Sequence, residues 1–350
     1  MSAVKDHSQI SPGGPVGSCE ALVMTEAIRD ADEAAFAELI EPHRRGLHAH
    51  CYRMLGSVHD ADDALQEALL GAWRGRSGFE GRSSLRSWLY TIATNASLRI
   101  LDGRKRRELP GGTGSGDDPR APLAEPLAES VWVEPYPDEV LRYEDREGVE
   151  LAYVAALQLL PPNQRAALLL REVLGFSARE VAEILETSVA SVNSAVQRAR
   201  AKLERRRPAR SQQETLRALG DERSRELVAR FVDAWNRTDV PAIVAMLRED
   251  ATFSMPPLPT WFRGRDDIGA FITALLEAAG TLGSTWRFEV TSAGGQPAMV
   301  GRRRNPDSGR DELGVLAVLT FEGERIAAIT AFIGPGVLGR FRPGELLRQR

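Results

Sequence analysis

Cysteine is nearly absent. The 350 residues hold two, Cys19 and Cys51, too few for a disulfide framework, so a reducing cytoplasm is the expected setting. No run of about 18 apolar residues occurs, which excludes a membrane-spanning helix and leaves no membrane partner to expect. The first residues lack a basic patch followed by an apolar stretch, so no secretory signal peptide is expected, and ISPGGPVGS (10–18) reads as part of a disordered tail over 1–24. Histidine stops at His59. His43, His48 and His50 fall on one predicted helix, but His48 and His50 are two apart and point to different sides. They are read as helix-surface residues, and neither a metal nor a cofactor is expected. An excess of positive charge is missing too. The formal net charge is −4, which alone argues against a nucleic-acid binder. The total conceals a segregation, because the charge is unevenly spread along the chain.

The clearest pattern lies at 159–207, LLPPNQRAALLLREVLGFSAREVAEILETSVASVNSAVQRARAKLERRR. Pro161-Pro162 stops what precedes and starts a helix. Ser177 and Glu180 form a capping box for a second helix, whose apolar face is Val181, Ala182, Ile184 and Leu185. Thr187-Ser188 breaks the pattern, and Ser188 caps a third helix. Val189, Val192, Val196, Ala199 and Leu203 then recur at helical spacing and are expected to face the core. The other side carries Ser191, Asn193, Ser194, Gln197, Arg198, Arg200 and Lys202. Residues 189–207 hold five arginines and one lysine against Glu204, a net of plus five. A short scaffold helix, a turn and an amphipathic basic helix make a helix-turn-helix. Asn193 and Gln197 suit adenine in the major groove, and the arginines suit guanine or phosphate.

Upstream, residues 25–56 read as one helix and DADDALQEALLGAWR (60–74) as a second. The latter has Asp60, Asp62 and Asp63 in its first turn, where the helix dipole favours anions. A loop at FEGRSSLRSWLYTIATN (79–95) runs into a helix that ends RILDGRKRR (99–107), with five basic residues and one acid. Arg82, Ser83 and Ser84 offer polar edges, and Trp88 and Tyr90 offer flat faces, the mixture that single-strand capture requires. Residues 108–144 read as a linker. Its glycines and prolines exclude regular structure, and 108–150 carries twelve acids against Arg120, Arg142 and Arg146, a net of −9.

These segments resemble the extracytoplasmic-function group of the sigma-70 family. LPPNQRAALLLREVLGFSAREVAEIL…SVNSAVQRARAKL looks like region 4, and DADDALQEALLGAW looks like region 2.2. The resemblance implies a protein that binds core RNA polymerase and promoter DNA. Region 4 (145–207) would read the −35 element through Ser188, Ser191, Asn193, Ser194, Gln197, Arg198, Arg200 and Lys202 and would touch the β flap. Many members have Lys and Arg where this chain has Asn193 and Ala195, so no base preference carries over. Region 2 (25–107) would read the −10 element through Arg82, Ser83, Ser84, Trp88, Asn95, Arg99, Arg104, Lys105, Arg106 and Arg107. Asp60, Asp63, Gln66, Glu67 and Trp73 would meet the β′ clamp. No anti-sigma factor is indicated.

After a basic hinge at 208–220 the pattern changes. Three predicted helices and alternating strands over 221–335 suggest an α+β unit with one curved antiparallel sheet wrapped on a helix. Their order, with TWFRGRDDI, resembles the SnoaL-like or nuclear-transport-factor-2-like cone. Trp235, Phe253, Met255, Trp261, Trp286 and Phe288 would line or fill its cavity, where a small apolar ligand is one expectation. With no histidine and no placeable carboxylate pair, sensing or contact is favoured over catalysis. A basic tail, 336–350, is read as flexible. The expected architecture is thus two all-α units and an α+β cone. The expected function is a sigma factor that the cone regulates. The alternatives are a polymerase-independent helix-turn-helix regulator with a ligand domain, and a cone-fold enzyme with a DNA-binding appendage.

Overall fold

The computed structural model describes residues 16–104, 106–111, 116–127, 131–138, 148–204, 211–281, 286–304, 309–339 and 341. The helix predicted over 25–56 is two, α1 (Val16–Asp30) and α2 (Glu33–Leu55). Asp32 separates them by capping α2, accepting the Ala35 N–H at 2.9 Å. Pro42 lies inside α2 without ending it. Gly56, at φ 70°, ends it, as a left-handed cap requires. Helices α3 (Val58–Gly75) and α4 (Leu85–Leu101) complete the first unit. Ala61, Ala64, Leu65, Ala68 and Ala72 form the buried stripe of α3, and these small residues let α2 and α4 approach closely.

His48 and His50 are both buried, contrary to the surface reading. They do point to different sides. His48 bonds the Tyr136 hydroxyl at 2.5 Å and Asp62 Oδ1 at 3.0 Å, whereas His50 bonds Thr94 Oγ1 at 2.9 Å. At this end of α2 one side is covered by α4 and the other by the linker, so neither histidine is left at the surface.

The second unit is α5 (Leu151–Gln158), α6 (Pro162–Leu168), α7 (Ala178–Ile184) and α8 (Val189–Glu204). Both bonds of the Ser177–Glu180 capping box are formed, and Ser188 Oγ accepts the Ser191 N–H at 3.1 Å. Val192, Val196 and Ala199 are buried. Val189 is not: it is 43 % exposed, because the first residue of α8 lies beyond the seam with α7. Of the expected hinge, 208–210 lies outside the described residues, as do 205–207 before it. The rest includes a helix, α9 (Gln212–Leu219), with its own capping box from Ser211 and Glu214.

The third unit comprises α10 (Asp221–Asn236), α11 (Val240–Ala245), β1 (Leu247–Ser254), β2 (Trp261–Arg263), α12 (Arg265–Thr281), β3 (Trp286–Ala293), β4 (Gln296–Arg304), β5 (Asp311–Glu322), β6 (Arg325–Ile333) and α13 (Pro335–Leu338). The sheet order is β2-β1-β6-β5-β4-β3. It is antiparallel as expected except at one ladder: β1 pairs parallel with β6. At the far edge, the Asn236 amide bonds both main-chain groups of Phe288 on β3, at 2.8 and 3.0 Å.

Strands β4 to β6 do not alternate apolar with polar, because both faces of the sheet are buried. Met299, Ala317, Leu319, Ile329 and Ala331 join the core under α10 and α12. Their neighbours Ala298, Val300, Leu316, Val318 and Phe332 join the core of the helical units instead, with Tyr136, Val149 and Leu151. Phe341, in the tail expected to be flexible, is buried in that same core; 342–350 lies outside the described residues.

The described residues of the linker form no helix or strand; 120–127 is exposed and most of 131–138 is buried, and both stretches bond to the rest of the chain. Asp117 exchanges two bonds with Trp261, Ala124 N bonds Thr260 Oγ1 at 3.2 Å, and Trp132 Nε1 bonds the Pro257 carbonyl at 3.0 Å. Glu134 bonds the start of α3, and Gly294 N bonds the Tyr136 carbonyl at 2.7 Å. A polar junction fixes the third unit to the second. The buried Glu150 carboxylate accepts the Gln212 and Gln213 N–H groups at 3.2 and 3.0 Å, and Leu151 N bonds Gln296 Oε1 at 2.9 Å.

Candidate nucleic-acid interface

Helix α8 presents Asn193, Ser194, Gln197 and Arg198 to solvent. Ser188 and Ser191 bond each other at 2.9 Å and serve the cap. Arg200 and Lys202 are exposed but engaged, Arg200 with Glu172 at 2.7 Å and Lys202 with the Leu159 carbonyl at 2.6 Å. The hydrogen bond to Glu172 raises the Arg200 pKa above the ordinary guanidinium value. The face left for a groove is thus narrower than the sequence pattern.

On the first unit, Arg82 is exposed beside Glu80 at 3.0 Å, Ser83 is half-buried, and Ser84 caps α4 by accepting the Ser87 N–H at 3.1 Å. Trp88 is half-buried on Phe79, with ring centroids 5.0 Å apart. Tyr90, read as a flat face for a base, is core: it packs between His50 and Phe176. Asn95 and Arg99 line a cleft of about 590 Å³ whose opposite wall is Pro162, Asn163 and Ile184 to Glu186 of the second unit. Lys105 lies outside the described residues.

Three basic residues at and after the end of α4 are paired with acids of α3. Arg99 bonds Glu67 at 2.6 Å, and Arg104 and Arg107 converge on Asp60 Oδ2 at 2.6 and 2.8 Å. Arg106 stands 3.6 Å from Glu108. Asp60 is 4 % exposed, so its expected place on an outer contact face is corrected: it is an internal anchor. Burial pushes its carboxyl up, but the bonds from Arg104 and Arg107 outweigh burial and hold it below the usual carboxylate range. Asp63, Gln66, Glu67 and Leu70 form the exposed face of α3. Trp73 is half-buried, edge-on to Phe36 at 5.4 Å and covered by the Arg76 guanidinium at 3.5 Å.

Sequence reasoning missed the residues that join the units. Arg165 is buried among main-chain carbonyls, bonding Leu157 O at 2.9 Å, Leu160 O at 3.2 Å, the Met54 carbonyl and Gln158 Oε1 at 2.6 Å. Burial lowers its pKa to about 10. Arg86 bonds the Leu174 carbonyl at 2.7 Å and lies over Phe176. An arginine inside an apolar helical run, as in PPNQRAALLL, was the available signal for Arg165.

In the third unit, Trp235, Phe253, Met255 and Phe288 are buried together in the core. Trp286 is half-buried and stacked on Phe288 at 6.0 Å, and Trp261 is half-buried against the linker. Four of the six are thus core residues, and the two half-buried tryptophans lie at its margin. A cleft of about 620 Å³ on this unit lies between α10, α11 and the β5–β6 turn and is lined by none of the six. Among the described residues no group of three His, Cys, Asp or Glu side chains could hold a metal, and no helix is long and apolar enough to cross a membrane.

Comparison with known proteins agrees with this layout. Residues 39–107 match Sigma-70 region 2, 150–203 match Sigma-70 region 4, and 228–329 match the SnoaL-like domain. The chain is 40 % identical over 320 residues to the ECF RNA polymerase sigma factor SigG of Mycobacterium tuberculosis, covering 89 % of this chain and 85 % of that one. It is 29 % identical over 247 residues to SigJ of the same organism, covering 69 % and 73 %. The crystal structure of M. tuberculosis SigJ superposes with a TM-score of 0.56 at 23 % identity over 87 % of this chain and 98 % of that one, a likeness of fold. The named relatives are transcription proteins rather than enzymes. The chain therefore belongs to the extracytoplasmic-function sigma factors of RNA polymerase, with a SnoaL-like domain fused behind its two promoter-reading regions.

Proposed function

We propose that α3 docks on the β′ clamp of core polymerase, that region 4 meets the β flap and reads the −35 element through α8, and that region 2 reads the −10 element, all in the cytoplasm. The chain does no covalent chemistry. The SnoaL-like domain regulates initiation through its contact with the sigma regions rather than by catalysis. The observation that carries the docking assignment is Leu70, 46 % exposed on the face of α3 that also bears Asp63, Gln66 and Glu67. A large exposed apolar side chain on a face that carries two acids suits a basic helical partner with an apolar seam. The SnoaL-like domain and linker hold both sigma regions by the bonds of Glu134, Tyr136 and Glu150, which supports the regulatory reading.

The test is run-off transcription with sigma-free core polymerase and the Asp63→Arg/Glu67→Arg double variant. Loss of complex formation and of transcript is expected. Unaltered initiation would favour a regulator that works without polymerase. Removal of residues 211–350 should change transcript yield from the same template, and an unchanged yield would refute regulation by that domain.

A further inference from the structure

Arg107 ends the basic run that follows α4, yet it is held unlike its neighbours. Its side chain is 11 % exposed, against 51 % for Arg104. One guanidinium nitrogen donates to Asp60 Oδ2 at 2.8 Å, and the other donates to the Trp132 carbonyl at 3.1 Å. That carbonyl belongs to a linker stretch paired with the residue after Arg107: Glu108 N bonds Val131 O at 2.8 Å, and Val133 N bonds Glu108 O at 3.0 Å. Trp132 is tied in turn to the C-terminal domain through its indole N–H on the Pro257 carbonyl, at 3.0 Å. A single line of hydrogen bonds therefore runs from Pro257 through Trp132 and Arg107 to Asp60.

We infer that Arg107 is a DNA-contact residue withheld in this arrangement, and that the linker at Trp132, pinned by the C-terminal domain, governs its release. The inference rests on the reading of region 2 as a DNA-contact surface. A guanidinium held between a buried carboxylate and a carbonyl, and only 11 % exposed, presents little of its charge to solvent. Once Val131–Val133 leaves Glu108, the Trp132 carbonyl and the cover are lost together, while the bond to Asp60 remains. Arg104 shares that carboxylate but is half-exposed, so its access to DNA depends less on the linker. The C-terminal domain thus sets the cationic charge available beside α4 without touching DNA.

The experiment uses the full chain without polymerase, in the state described here. Its affinity for a short fluorescent DNA duplex is measured by anisotropy across a potassium chloride series. Each phosphate contact adds about −0.9 to the logarithmic salt slope. Asp60→Asn should steepen the slope. Arg107→Gln should flatten it by about 0.9 more in the Asp60→Asn background than in the otherwise unchanged chain, the coupling that a double-mutant cycle reads. Trp132→Phe, which keeps a ring but removes the N–H, should give the same direction of coupling and carries the test if Asp60→Asn does not fold. Equal effects of Arg107→Gln in all backgrounds would overturn the inference. Because no polymerase is present, that result would leave docking and initiation standing, whereas failure of run-off transcription would not alter the salt slopes.

Discussion

The Glu134 carboxylate accepts the main-chain N–H of Val58 at 2.8 Å. Val58 is the first residue of α3, so an acid of the linker sits at the positive end of the helix assigned to polymerase docking. The Ser57 hydroxyl also donates to it, at 3.0 Å. Glu134→Ala should lower stability by about 1 kcal/mol, the usual worth of a helix-end acceptor, and Glu134→Gln by less. Urea unfolding of the three chains checks the order. Equal midpoints would mean that water or Ser57 replaces the carboxylate.

Arg165 joins the two sigma regions by serving carbonyls from α2 and α5. Methionine there keeps the stem but leaves those acceptors unserved in the interior. Arg165→Met should cost on the order of 3 kcal/mol in equilibrium unfolding. Arg165→Lys should recover only part, since one ammonium does not reach the same spread of acceptors. Full recovery by lysine would show that charge alone matters.

His50 predicts a pH dependence. Burial drives its imidazole down to about 3, with the Arg53 charge acting in the same direction. An unfolded histidine titrates near 6.5, so below that value the unfolded chain takes up a proton that the folded chain refuses. The contribution to stability is complete above about pH 6.5 and is lost toward pH 3, at about 1.4 kcal/mol per pH unit. Denaturation midpoints at pH 7 and pH 5 should differ less in His50→Gln than in the unaltered chain. An unchanged difference would assign the effect to other groups.

Asn193 and Gln197 stand one turn apart on the solvent face of α8. If they pair with bases, Asn193→Ala should weaken binding to the −35 element by about 1–3 kcal/mol and relax the preference at one position. Arg198→Ala, as a phosphate contact, should weaken all sequences alike and reduce the salt slope by about 0.9. Competition binding with substituted promoter fragments separates the two. A uniform loss for Asn193→Ala would remove it from base reading.

Local signals were legible in the sequence, and contacts between distant segments were not. The Ser177–Glu180 box, the Ser188 cap and the buried spacing of Val192, Val196 and Ala199 follow from rules spanning a few residues. The apolar runs of β5 and β6 recorded that both sheet faces are covered, although the alternation rule hid this. His48 and His50 looked like surface because their covers, Tyr136 and Thr94, are 88 and 44 residues away. Asp60 looked like a docking acid because a first-turn aspartate reads the same whether it faces solvent or two arginines. The linker read as spacer from its prolines and acids, since composition does not reveal that Trp132, Glu134 and Tyr136 each find a partner on a distant element.

The Asn236 amide lies along the outermost strand and occupies the donor and the acceptor of Phe288. A side chain here imitates one residue of a seventh strand. An incoming segment from another molecule would have to evict that amide before it could pair at Phe288, so one asparagine interrupts the ladder that edge-to-edge aggregation would need there.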